Sequence, residues 1–325
     1  MNRALTIGFW NAQNLFGARA HPERGPQSTQ ELAAKLDAVA NVIKKLATTG
    51  PPDVLVLAEV ATAALARRLA HLTGGGRRGP LVFERPTGND TGLAVLGLTP
   101  NVAGLTWPDA EMRGHRPRAL SVKVTLAASS NPLYVIGCHW KSDLSQPGQP
   151  SPQKDREQSG RWLQAHLSQA NRVYPNGKVD PVVVLGDFNA EPYPRAVRRE
   201  LNATRHYTKS LGAQGGRLMN CMWPWLVDQG ASAILGLPVN AGGPRPLTSF
   251  GSGEPAIFDQ LLVSRSILRG DYFSLEGFDY HRDADTAQVL PRLRHVVPNE
   301  WAWDGTRRTG SGTSDHFPLV INLRY

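Results

Sequence analysis

Val184-Leu185-Gly186-Asp187-Phe188-Asn189-Ala190-Glu191-Pro192 is the stretch on which the reading of this chain turns. The apolar run Val182–Leu185 has the length and composition of a strand buried on both faces. It ends in a glycine, which lets a neighbouring backbone approach closely, and two oxygen-bearing side chains follow two residues apart. Side chains at a strand end sit where a rigid scaffold meets solvent and are held in place by it. The stretch therefore predicts a chemical site at the end of a buried strand, carried by Asp187 and Asn189.

Working outward, the same arrangement recurs. Further apolar runs end in Trp10-Asn11, in Ala58-Glu59 and in Cys138-His139, and the C-terminal part supplies Phe258-Asp259 and Ser314-Asp315-His316. Each has a bland reading: Asn11 as a turn cap, Glu59 as the first residue of a helix, His139 as a structural histidine beside Trp140, Asp259 as the start of a strand. Together they offer hard oxygen ligands suited to magnesium or manganese and imidazoles able to move a proton near neutral pH. Hydrolysis of a phosphodiester needs a polarised phosphate, an activated water and a stabilised leaving oxygen, and this set can supply all three. Asp259 read with His316 suggests a carboxylate that fixes the tautomer of an imidazole. A serine hydrolase is disfavoured because the chain has no Gly-x-Ser-x-Gly elbow.

The remaining pattern alternates short apolar runs with amphipathic stretches. Leu5–Trp10, Asp53–Ala58, Leu81–Glu84, Gly92–Leu98, Leu120–Leu126, Leu133–Cys138, Val182–Leu185, Phe258–Val263 and Pro318–Leu323 read as strands. Ser28-Thr29-Gln30-Glu31 has capping-box spacing ahead of a helix that uses Leu32, Leu36, Val39, Ile43 and Leu46 and stops at Gly50-Pro51-Pro52. Thr62–Leu72 and Gln153–Ala170 read as further helices. The stretch from about 205 to 255 is rich in Gly, Pro and Trp and reads as an irregular insertion within one domain spanning 1–325. Two packed sheets with outer helices fit this order better than a doubly wound parallel sheet.

The 325 residues are 41% hydrophobic and carry a formal net charge of +9, enough apolar material for a core and a balance that suits polyanionic partners. Two cysteines, Cys138 and Cys221, are too few for a disulfide framework or a cysteine zinc site, and Cys138 is expected as a buried thiol. No signal-peptide pattern and no apolar run of membrane-spanning length is present, so the expectation is a soluble, cytoplasmic protein with no membrane role.

Taken in order, six segments resemble the endonuclease/exonuclease/phosphatase superfamily: Phe9–Phe16, Val54–Val60, Gly137–Ser142, Val184–Pro192, Ile257–Ser264 and Gly312–Leu319. The resemblance spans residues 9 to 319. It implies a four-layered αββα sandwich of the DNase I-like kind, two facing mixed sheets flanked by helices, with the site at one end. It further implies that Asn11, Glu59 and Asp315 bind metal, Mg2+ with Mn2+ as a substitute. Asp187 and Asn189 then position and activate water or stabilise the leaving oxygen. His316 oriented by Asp259 is one catalytic histidine, with either it or Asp187 as the base, and His139 is the other, contacting phosphate or acting as general acid. Arg118 and Lys141 are candidate phosphate contacts, and Asp90 a candidate partner of His139. Some family nucleases carry an acid two residues after the first Asn. Here that position is Gln13, which counts against a second metal.

Among phosphoesters, nucleic acid leads as substrate and partner, DNA ahead of RNA, with endonuclease the leading activity. The basic balance favours it, and the segment His139-Trp140-Lys141-Ser142 resembles bacterial nuclease-type members of the superfamily more than inositol phosphatases. Trp140, Trp223, Trp225, Trp301 and Trp303 are candidates for stacking on bases. No obligate protein partner is indicated. The alternatives are a phospholipid or inositol-phosphate phosphodiesterase, and more distantly a non-catalytic nucleic-acid-binding module.

Overall fold

Strand β1 (Ala4–Leu15) shows how the layers are built, because its side chains alternate between two apolar clusters. Leu5, Ile7 and Phe9 enter one cluster and Trp10 and Ala12 the other. Strand β2 (Val54–Val60) divides in the same way, with Val54, Val56 and Ala58 on one side and Leu55 and Leu57 on the other. Strand β8 (Val182–Asp187) sends Val183 and Leu185 into the first cluster and Val182 and Val184 into a third. A strand covered on both faces reads as an unbroken apolar run, and each such Val or Leu contributes about 1.5–3 kcal/mol by leaving water. The shared cluster lies between two sheets, and the other two lie under helices on the outside.

The computed structural model describes residues 3–20, 25–74, 79–84, 91–107, 118–142, 151–170, 180–212, 217–223, 256–281, 287–290, 295–298 and 313–325. The remaining described strands are β3 (Leu81–Glu84), β4 (Gly92–Gly97), β5 (Val102–Thr106), β6 (Ala119–Leu126), β7 (Leu133–His139), β9 (Ala203–Thr204), β10 (Leu218–Asn220), β11 (Asp259–Val263), β12 (Ser274–Tyr280), β13 (Ala287–Leu290), β14 (His295–Pro298) and β15 (Leu319–Arg324). Among the described residues they form a six-stranded sheet ordered β12-β15-β1-β2-β4-β3, a seven-stranded sheet ordered β5-β6-β7-β8-β11-β10-β9, and a β13-β14 ribbon. Both larger sheets mix parallel and antiparallel pairs. Helices α1 (Thr29–Ile43) and α2 (Ala63–Leu72) cover the six-stranded sheet. Helix α3 (Pro152–Ala170) and the π-helical turn Ala196–Glu200 cover the seven-stranded one. This is the expected four-layered α/β sandwich.

Local signals act where they were read. Ser28 caps α1 by accepting from Glu31 N at 3.0 Å, and Glu31 Oε2 accepts from Gln27 N at 2.8 Å. Thr62 caps α2 through Leu65 N. Helix α1 ends at Ile43, earlier than the repeat suggests, although Leu46 remains buried in the same cluster. The stretch expected to be irregular from 205 is ordered in its described part. It holds α4 (Tyr207–Gly212) and β10, which pairs with β11 and extends the seven-stranded sheet. Strands β5, β9, β10 and β12 escape a pattern search because they are short or lie at sheet edges, where one face stays wet and alternation fades. A last short helix, α5 (Arg265–Arg269), leads into β12.

Register brings the strand ends together. His139 lies opposite Asp187 on β7 and β8, and Asp187 opposite Asp259 on β8 and β11. Asn11 lies opposite Ala58, next to Glu59, in the parallel β1–β2 pair. Phe9 pairs with Leu319, so the segment before β15 reaches the same end. Two glycines allow this closeness. A Cβ at Gly137 would stand 2.5 Å from Val56 Cγ1 across the sheet interface, and one at Gly186 would stand 2.2 Å from the Cys138 carbonyl oxygen.

Candidate active site

The strand ends are distorted where the chemistry gathers. Both β1–β2 and β2–β4 shift register at this end, between Asn11 and Leu15 and between Leu57 and Val60. Gln13, Asn14, Glu59, Arg118 and Asn189 all adopt positive φ, between 44° and 60°. Each such non-glycine conformation costs on the order of 1 kcal/mol or more and persists only where surrounding bonds enforce it. Here the bonds are visible. Gln13 N donates to Asn11 Oδ1 (3.0 Å), Asn14 N to Glu59 Oε2 (2.6 Å) and Asn189 N to Asp187 Oδ1 (2.8 Å).

Asn11 sits at the centre. Its Nδ2 donates to Glu59 Oε1 and to Asp187 Oδ2, both at 3.1 Å, and lies 3.4 Å from His316 Nε2. His139 Nε2 stands 3.5 Å from Glu59 Oε1 and 3.9 Å from Asp187 Oδ2. His316 Nε2 stands 3.7 Å from Asp187 Oδ2 and 3.8 Å from Asp315 Oδ1. Behind it, His316 Nδ1 and Asp259 Oδ2 are 2.8 Å apart, with Asp259 fully buried. Seven of the expected residues thus form one cluster, and Asn189 is tied to it through Asp187. Arg118 is connected through its backbone, where its carbonyl accepts from His139 N at 2.9 Å. Lys141 follows β7, half-buried beside the cluster.

The electrostatics follow from this crowding. Burial opposes charge on His316, but the carboxylates of Asp259, Asp315 and Asp187 outweigh it and raise the imidazole well above its ordinary pKa. Burial also pushes Asp259 up, to about 7, against the pull of His316. The direction that stands for this pair is the raised histidine: one proton held between buried partners on the side where three carboxylates meet. The Cys138 thiol behind His139 is raised by burial, the buried thiol that was expected, and burial likewise raises Cys221 to about 12.

Four carboxylates, those of Glu59, Asp187, Asp259 and Asp315, converge on two imidazoles, and an excess of hard oxygen donors fits a divalent cation. Ligand atoms of Asp187, Asp259 and His316 all lie within 4.8 Å of one another and could hold one. Asp259 Oδ2 and His316 Nδ1 are already engaged with each other, however. The more open Glu59 carboxylate, with its side chain 20% exposed, is the better fit, beside Asp187 and Asn11. As placed, Asn11 turns its nitrogen to these carboxylates and its oxygen to Gln13 N. Its expected ligand role therefore requires the amide to turn over.

Several supporting residues carry no motif. Arg156 on α3 reaches across two loops, its Nη1 donating to the carbonyls of Asn189 (2.7 Å) and Lys141 (3.2 Å). Asn189 Nδ2 closes the same gap by donating to Trp140 O at 3.0 Å. Lys35, fully buried in α1, donates from Nζ to Gln13 O and anchors the left-handed loop. Gln260 donates to Ala190 O, and Asn220 Nδ2 holds Gln260 Oε1 at 2.6 Å. Ser314 Oγ donates to Asn11 O (2.6 Å) and Trp10 Nε1 to His316 O (2.9 Å), stitching the His316 segment onto β1. Only an ordinary polar residue inside a helix marks Arg156 or Lys35 in the sequence; the buried position of Lys35 on an otherwise apolar helix face was the one available signal.

One tryptophan expectation needs correction. Trp140 is fully buried and packs on Phe188 with ring centroids 4.6 Å apart, so it is core rather than a base platform. Trp223 lies under the Arg205 guanidinium, 5.2 Å from its centroid. Asp90, Trp225, Trp301 and Trp303 lie outside the described residues.

A family model described as the Endonuclease/Exonuclease/phosphatase family matches residues 8–316. The chain belongs to that family. Family members hydrolyse phosphoesters and are generally dependent on a divalent metal, which agrees with the oxygen-rich cluster. No protein in a search of curated sequences matches. Among solved structures, a family protein from Bacteroides thetaiotaomicron is 15% identical, with a TM-score of 0.55, over 100% of this chain and 96% of that one. A mannosyl-6-phosphatase from the same organism is 15% identical, with a TM-score of 0.54, over 99% and 100%. D. rerio TDP2, solved with a single-strand DNA product, is 13% identical, with a TM-score of 0.53, over 98% of each chain. At these identities the likeness is one of fold. Among the described residues no helix is long and apolar enough to cross a membrane.

Proposed function

We propose that this family member is a magnesium-dependent nuclease that hydrolyses phosphodiester bonds, with DNA favoured over RNA. The observation that carries the reading is Asp187, held between two imidazoles at 3.7 and 3.9 Å with Glu59 and Asn11 opposite. A metal held by Glu59, Asn11 and Asp315 would supply charge for a phosphoryl oxygen and for the leaving oxygen. Asp187 and Asn189 orient the attacking water, and Asp187 accepts its proton. His316, kept protonated by Asp259 and its neighbours, donates to a phosphoryl oxygen and stabilises the charge that grows there. His139 faces the same space from β7 and protonates the departing oxygen. Arg118 and Lys141 flank the phosphate.

The net charge of +9 supports a polyanionic substrate, and a relative of this fold has been solved with a DNA product. A substrate panel tests the reading: plasmid, single-stranded DNA and RNA beside an inositol phosphate and a phospholipid, each with magnesium and with chelator. Metal-dependent cleavage of the nucleic acids is the expected result. Turnover of the small or lipid ester with intact nucleic acid would overturn it.

A further inference from the structure

The net charge of this chain is not spread evenly. Residues 195 to 217 contain six basic side chains and a single acidic one, so this short segment holds a net +5 of the chain's +9. The acid, Glu200, is itself engaged: Arg195 Nε meets its Oε1 at 2.8 Å and Arg161 meets its Oε2 at 3.3 Å. Arg198, Arg199, Arg205 and Lys209 are exposed, and none of the four has an ion-pair partner among the described residues.

The fold gathers these charges along one flank. The π-helical turn carrying Arg198 and Arg199 begins seven residues after Asn189 and packs on α3, the helix whose Arg156 holds the Asn189 carbonyl, so the flank is continuous with the loop that carries Asn189. That turn packs against α3 and beside β9, the outer strand of the seven-stranded sheet. Helix α4, with Lys209, packs on β9, β10 and α5, and α5 adds the exposed Arg269, whose Nη2 donates to Leu211 O. Tyr207 stands 48% exposed among them. Unpaired like charges held side by side repel one another, and the arrangement gains only when an anion with repeated charges lies over it.

We infer that this β9 flank is a docking surface for a nucleic-acid backbone, gripping the strand beyond the phosphate held in the cleft. The inference rests on the nuclease reading above and adds the path of the strand to it. Phosphates recur along a single strand at a spacing that scattered arginines and lysines can follow, and such pairings bring affinity without sequence preference. A mononucleotide or other small ester occupies the cleft alone and does not reach the flank.

Two triple variants test placement against total charge. One replaces Arg198, Arg199 and Lys209 with alanine, and the other replaces Lys44, Arg67 and Arg68, exposed on α1's end and on α2 over the opposite sheet. Both lower the formal net charge from +9 to +6. Binding of a labelled single-stranded oligonucleotide is measured by anisotropy in chelator, across a salt series, so that no turnover intervenes. The flank triple is expected to weaken binding at least about tenfold and to flatten the log–log salt slope by about 2, near 0.7 for each phosphate that no longer meets a cation. The opposite triple should change affinity less than about threefold, and hydrolysis of bis(p-nitrophenyl) phosphate should be unchanged in both. Equal weakening by the two triples, no weakening by either, or no binding by the unaltered protein would overturn the flank. A protein that binds through the flank yet leaves nucleic acid intact with magnesium would instead overturn the nuclease reading and spare the flank.

Discussion

Replacing Arg156 with alanine removes a clamp that touches no substrate, so its effect separates positioning from binding. The guanidinium nitrogen Nη1 donates to Asn189 O at 2.7 Å and Lys141 O at 3.2 Å, bridging the loops that follow Asp187 and His139. A hydrogen bond from a charged group contributes about 1.5–3 kcal/mol, and the half-exposed site and the longer second bond place the pair near the lower end. A loss of about 2 kcal/mol in stability is expected, or a fall of a few degrees in Tm for a chain of this size. Catalysis should suffer more than stability. With the clamp gone, the described bonds left between the two loops are Asn189 Nδ2 on Trp140 O and Trp140 N on Asp187 O, which leave Lys141 and the Asn189 carbonyl untied, and a displacement near 1 Å can cost roughly a hundredfold. Steady-state hydrolysis of a small phosphodiester at saturating magnesium should show kcat down about 10- to 100-fold, with KM changed less than about threefold. Lysine, which cannot fork across two carbonyls, should recover only part, and added guanidinium should recover some of the alanine variant's rate. A variant with kcat within twofold of the original and a lowered Tm would refute the clamp as a positioning device.

Three other outcomes follow from the same structure. Asp259→Asn breaks a fully buried charge-assisted bond to His316, a loss of about 3–4 kcal/mol that should lower kcat by roughly 10^2–10^3 while the circular dichroism spectrum is retained. Gly186→Ala drives a methyl into the Cys138 backbone, so the variant should either fail to fold or lose activity together with Tm; an active variant of normal Tm would contradict the packing at this strand pair. His166, stacked on Trp162, is lowered by burial to about 4. Its folded value is depressed, so the unfolded chain takes up the proton first. The stability present above about pH 6.5 is lost as pH falls toward 4, by about 2–3 kcal/mol. Urea denaturation at pH 7 and pH 4.5 should show that His166→Phe removes this part of the pH dependence, and an identical slope in both proteins would count against it.

The layered core was legible because β1, β2, β7 and β8 are buried on both faces and therefore read as plain apolar runs. The cluster was legible for a related reason: Asn11, Glu59, His139 and Asp187 end such runs, Asp259 opens another, the Asp315-His316 pair stands just ahead of one more, and six ordered segments resemble one family. What the sequence hid are bonds made through backbone atoms and from remote helices. Arg156 acts on two carbonyls, and Lys35 acts on a third from α1, a helix that carries none of the expected site residues. A side chain that recognises a main-chain oxygen leaves no pattern at the receiving end. Edge strands β9 and β12 were hidden because a half-wet strand need not be apolar, and β10 because its three residues are too few to show a pattern. Trp140 was misread because its packing partner, Phe188, comes from another strand end, a contact that no local pattern announces.

The division of labour between Glu59 and Asp187 is the centre of this account. A magnesium titration of phosphodiester hydrolysis in the original protein, Glu59→Gln and Asp187→Asn measures it directly. Glu59→Gln should raise the magnesium midpoint at least about tenfold and recover rate at high metal. Asp187→Asn should leave the midpoint within about threefold and lower kcat by about 10^3 or more. Activity that survives in Asp187→Asn, or a magnesium midpoint unmoved in Glu59→Gln, would contradict the account.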